Sequence, residues 1–102
     1  MIKARFFTEG DFLTGFEIKG HSGYASEDED DIVCAAVSSA AYMTANTITD
    51  IIGLDAQIDL NDDGFFKFII KPESQSQTTL RGFKLHLEAL SQDYPENIKL
   101  TF

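Results

Sequence analysis

Two pairs of alternating runs, each pair closed by a turn, most constrain how this chain can fold. Ile2, Ala4 and Phe6 fall on one face of the first run, and Lys3, Arg5 and Phe7 on the other. A period of two is that of a half-buried strand. Thr8-Glu9-Gly10-Asp11 reads as a turn, after which Phe12, Thr14, Phe16 and Ile18 share a face opposite Leu13, Gly15, Glu17 and Lys19. These two runs predict a hairpin. The pattern returns downstream: Leu54, Ala56, Ile58 and Leu60 alternate with Asp55, Gln57 and Asp59. Asn61-Asp62-Asp63-Gly64 is a turn signal, and Phe66, Phe68 and Ile70 then alternate with Phe65, Lys67, Ile69 and Lys71. That turn is acidic but lacks the spaced ligands and bidentate Glu of a calcium loop, so a metal role is rejected.

Between and after the hairpins the period changes to that of helices. Val33, Val37, Ala40, Thr44, Ile48 and Ile51 recur at helical spacing, which predicts a helix from about Asp31 to Ile52, closed by Gly53. Asp30 or Asp31 can cap it, and Asp31 as cap puts Cys34 at the third helical position. Leu80, Phe83, Leu87, Leu90 and Tyr94 form the stripe of a second helix, about Gln75 to Asp93, which Pro95 stops. His86 lies off that stripe. Ile98, Leu100 and Phe102 alternate as a short last strand. The order ββαββαβ predicts a single α+β domain over residues 1–102. It would be a two-layer sandwich, a mainly antiparallel sheet with both helices on one face. The other face carries Phe7, Leu13, Phe65 and Ile69 among charges, which is more apolar than a free surface needs and suggests cover by a second copy, hence a homodimer.

Composition narrows the function. Hydrophobic residues make up 43%, and nine Phe with no Trp assign much of the packing to Phe. The net charge is −9, from 17 acidic and 8 basic residues. Nucleic-acid backbone binding needs a basic footprint and is disfavoured; a basic protein or peptide partner suits the charge. A single Cys leaves no internal disulfide, so a reducing, cytoplasmic location is the default. The start of the chain is charged and carries no signal-like apolar stretch, and no apolar run is expected to reach across a membrane.

The chemistry concentrates between Gly20 and Ser38. A glycine-punctuated segment with His21 and Gly23 leads through the acidic Glu27-Asp28-Glu29-Asp30 into the small-residue helix that starts with Cys34 near its head. Free backbone N–H groups and the partial positive charge at a helix start favour a thiolate, which is the nucleophilic form. The nearby carboxylates oppose it. His21, upstream across the loop, can serve as base. Against this stands the plain reading that a lone Cys is a small buried hydrophobe and a His beside Gly a strand-end residue.

Gly20-His21-Ser22-Gly23-Tyr24-Ala25 and Asp31-Ile32-Val33-Cys34-Ala35-Ala36-Val37-Ser38 resemble the two signatures of the bacterial ribosomal-processing cysteine protease (Prp) family, in order and at the right chain length. The resemblance implies a protease that removes the N-terminal extension of large-subunit ribosomal protein twenty-seven, cutting after an aromatic residue, usually as a dimer. It implies His21 as catalytic base and Cys34 as nucleophile, with no cofactor or metal. Asp31 matches a signature Asp, to which capping or orientation is assigned; Gly20, Gly23 and Ser38 are supporting positions. The acidic 27–30 segment departs from the family's glycine and makes the loop one residue longer. Peptide hydrolysis would pass through a thioester, with helix-start N–H groups holding the oxyanion and loop 22–30 closing over the substrate. The alternatives are a non-catalytic acidic module that binds a basic ribosomal segment, with Cys34 as packing, and a redox-sensing thiol.

Overall fold

The computed structural model describes residues 1–21, 31–61 and 64–102. Five strands form one sheet: β1 (Ile2–Glu9), β2 (Phe12–Lys19), β3 (Gln57–Asn61), β4 (Phe65–Ile69) and β5 (Ile98–Thr101). Their spatial order is β3-β4-β2-β1-β5. All neighbours pair antiparallel except β1 and β5, which run parallel, with Ile2 opposite Ile98. Helices α1 (Ile32–Asn46) and α2 (Gln77–Asp93) complete the α+β order ββαββαβ. One core joins a single sheet face, through Ile2, Ala4, Phe6, Phe16, Ile18, Phe66, Phe68 and Ile98, to Val33, Val37 and Ala41 of α1 and Leu80, Phe83 and Leu87 of α2. Both helices therefore cover the same face.

Phe16 is fully buried at the centre of this layer. Its ring meets Phe83 edge-on at 4.7 Å, and Phe66 and Phe68 at 5.4 Å. Aromatic pairs at these separations add to the free energy of burial alone, so the Phe-rich composition is used as expected.

Three details depart from simple periodicity. A register shift lies between Phe7 and Thr8, so that Phe7 pairs with Gly15 but Thr8 with Leu13. The unopposed Thr14 reverses the parity of the strand ahead of it. Leu13 is consequently buried and Phe12 exposed, the reverse of the alternation rule. The Gln77 side-chain amide holds this irregular point: Oε1 accepts from the Leu13 N–H at 2.8 Å and Nε2 donates to the Leu13 carbonyl at 2.9 Å. At Gly15 a Cβ would run into the Phe68 carbonyl oxygen, so only glycine lets β2 and β4 approach here.

The second departure is at the end of the first helix, where Thr47–Ile52 continues α1 as a π-helix to Gly53, which is left-handed at φ 86°. The wider turn shifts the helical phase, leaving Ile48 buried but turning Ile51 out to solvent at 81% exposure. Taken together Ile32–Ile52 reaches a mean hydropathy of 1.2 over a length that could cross a bilayer, which corrects the expectation that no run is long enough. Val33, Val37, Ala41, Ala45 and Ile48 of this stretch pack in the core.

The third departure is on the open sheet face. Leu13 is not there, and Phe7 is only half exposed, because the Arg5 guanidinium stands 5.2 Å and the Lys67 ammonium 5.7 Å from its ring centre. Long cationic side chains thus veneer the apolar residue that suggested a partner on this face.

Candidate active site

Gly20 ends β2 with φ 89°, and its N–H donates to the Gly64 carbonyl at 2.9 Å, tying the end of β2 to the β3–β4 turn. His21 follows and is exposed. Gly64, at φ 79°, lies against it: a Cβ built there would sit 2.9 Å from the Gly20 oxygen and 3.2 Å from His21 Cε1. The His21 ring therefore rests against backbone that carries no side chain.

At the head of α1, Asp31 caps the helix. Its Oδ1 accepts from Val33 N–H at 3.0 Å and Cys34 N–H at 2.9 Å, and Cys34 is the third helical residue, half-buried. This cap explains why the helix begins where it does: a carboxylate satisfies two donors that have no intrahelical partner and faces the positive end of the helix dipole. It also corrects one expectation. The N–H groups of Val33 and Cys34 are engaged by Asp31, so they serve the helix and not a substrate oxyanion.

His21 and Cys34 open onto one cavity of about 250 Å³. Gly20 and Ser38 line it as well, and Asp31 does not. Gly23 and the acidic segment 27–30 lie outside the described residues, as does the expected closure of loop 22–30. The rest of the wall is mostly apolar, from Ile2, Ile18, Val37, Ala41, Tyr42, Leu60, Phe65 and Phe66, with Asn61 as a polar exception. Tyr42 is 45% exposed and meets Phe66 edge-on at 5.2 Å. Tyr42, Leu60 and Gly64 were not singled out by sequence; the Asn-Asp-Asp-Gly turn was visible, but nothing local says that its glycine abuts a histidine. Among the described residues no cluster of three His, Cys, Asp or Glu could hold a metal.

A thiol at a capped helix head and an imidazole that line one largely apolar cavity are an arrangement suited to thiol hydrolases. The comparisons narrow that class. The family model for cysteine protease Prp matches residues 1–99, and the chain belongs to that family of cysteine proteases. The chain is similar to the ribosomal processing cysteine protease Prp of Bacillus subtilis (strain 168), 28% identical over 96 residues, covering 87% of this chain and 85% of that protein. Its fold matches the crystal structure of an essential ribosomal processing protease Prp from S. aureus in complex with a covalently linked product peptide. The TM-score there is 0.88, with 25% identity, over 99% of this chain and 98% of that one. It also matches SMU.848 from Streptococcus mutans, with TM-score 0.81 and 28% identity over 99% and 92%.

Proposed function

We propose that this chain is a cytoplasmic, single-domain endopeptidase that removes the N-terminal extension of large-subunit ribosomal protein twenty-seven, cutting after an aromatic residue, with Cys34 as nucleophile and His21 as base. The observation that carries the reading is that the two residues share one apolar cavity. The ribosomal substrate rests on the family resemblance and on relatives named for ribosomal processing, one of them solved with a product peptide covalently attached.

In this mechanism His21 takes the proton of Cys34, and the thiolate attacks the scissile carbonyl to give a tetrahedral oxyanion. Collapse forms a thioester as His21 protonates the leaving amine. His21 then activates water, which adds to the thioester and releases the acyl product, returning the proton to Cys34. The Asp31 cap fixes the helix head and with it the Cys34 backbone. The apolar wall around Val37, Ala41, Leu60 and Phe66 suits an aromatic side chain next to the cut. A homodimer fits the family habit.

The test is incubation of a peptide copying that N-terminal extension with the wild type, Cys34→Ala and His21→Ala, read by mass spectrometry. One cut after the aromatic residue, absent in both variants, is expected. An intact peptide that nonetheless binds would replace the protease reading with that of an acidic binding module.

A further inference from the structure

We infer that β3 is the rail for the substrate: an extended segment of the peptide adds to the outer edge of β3, placing apolar side chains at alternate positions on Ile58 and Leu60. The inference rests on the protease reading above and says how the substrate is held.

Among the described residues β3 ends the sheet, so one of its two edges has no described strand beside it. Edge strands are normally protected by Lys, Pro, a bulge or a covering element. Gln57-Ile58-Asp59-Leu60-Asn61 contains no Lys and no Pro, carries Asp59 as its one charge, and pairs regularly with β4. Among the described residues, cover is also incomplete on the helix side. Ile58 and Leu60 pair with Phe68 and Phe66 of β4, which are 0% and 8% exposed, yet they themselves are 47% and 50% exposed. At the opposite edge of the sheet Ile98 of β5 is buried to 3%. Among the described residues the helical layer thus covers the edge strand β5 and leaves Ile58 and Leu60 of β3 half exposed.

β3 leads into the chemistry. Leu60 and Asn61 form part of the cavity wall that holds His21 and Cys34. An extended chain repeats a side-chain direction every second residue, about 6.6 Å, the spacing at which Ile58 and Leu60 are themselves set. A strand added here gains backbone hydrogen bonds for affinity and two apolar contacts for selectivity, the usual division in strand addition. Charge favours this occupant: at −9 the chain attracts a basic peptide segment.

The test uses two probes. One is a peptide with apolar residues at alternate positions on either side of an aromatic residue; the other is acetyl-phenylalanine p-nitrophenyl ester, which reaches only the cavity. Ile58→Thr is the variant, since Ile58 is half exposed and does not line the cavity. It is expected to raise KM for the peptide about tenfold and to leave the ester unchanged. Methylating peptide amides at alternate positions should have a comparable effect in one phase and little in the other. Peptide KM unmoved by both changes would overturn the proposal while leaving the protease reading intact. It also falls if Ile58→Thr converts a dimer to monomers with no change in peptide KM, because the edge is then a subunit contact. A wild type that turns over the ester alone overturns the rail, and one that turns over neither probe overturns the protease reading and the rail together.

Discussion

Asp31→Ala should cost about 2 kcal/mol of folding stability, and Asp31→Asn at most about half of that. The Asp31 carboxylate accepts two backbone N–H bonds, at 3.0 and 2.9 Å, and Val33, which supplies one of them, is 1% exposed. Removing a cap costs roughly 0.5–2 kcal/mol in general. Here water reaches the Val33 N–H poorly once the carboxylate is gone, which places the loss near the top of that range. Asn keeps an acceptor oxygen at the same place and gives up the charge–dipole attraction, about 0.3–1 kcal/mol. Urea unfolding followed by circular dichroism measures the difference as a shift of midpoint at constant slope. For a domain of this size about 2 kcal/mol also lowers Tm by roughly 10 °C. Equal losses in the two variants would refute the reasoning, since charge and not acceptor geometry would then hold the helix head. A loss below about 0.5 kcal/mol in Asp31→Ala would show that the cap contributes nothing.

Gly64→Ala is expected to lower kcat with the fold retained, because the new Cβ meets the Gly20 oxygen at 2.9 Å and His21 Cε1 at 3.2 Å; a kcat equal to the wild type would detach His21 placement from that turn. The same substitution puts a side chain at φ 79°, at a cost of roughly 1–2 kcal/mol visible in thermal unfolding. Gln77→Leu keeps the volume but takes away both partners of the Leu13 backbone, so a loss of about 3 kcal/mol is expected in urea unfolding, and a loss under about 0.5 kcal/mol would mean that the irregular strand is held by other contacts.

Local periodicity made most of the elements legible. The alternation of Ile2 to Phe6 and the Leu80–Phe83–Leu87 stripe correspond to buried faces of β1 and α2. The capping Asp and the third-position Cys were also readable, because capping is a short-range matter of three residues. What failed was whatever one extra residue does to phase. The unopposed Thr14 exchanged Leu13 and Phe12, and the π-turn sent Ile51 outward. Non-local facts were hidden for another reason. Arg5 and Lys67 come over Phe7 only because β2 separates β1 from β4 by one strand, and strand order is not encoded in alternation. Gly64 is explained locally by its left-handed φ, so its contact with His21 leaves no separate trace in the sequence.

The parallel pairing of β1 with β5 joins the two ends of the chain in space: Ile2 stands beside Ile98, and Arg5 beside Thr101. The sheet therefore cannot close until residues 2 to 101 are all available, and pairing across so large a separation is slow. Proteolytic trimming of residues 98–102 would turn β1 from an interior strand into a boundary, uncovering a ladder of amides beside the cavity wall at Ile2. A clipped molecule would then be prone to self-association through that ladder, which makes the integrity of the last strand a matter of solubility as much as of stability.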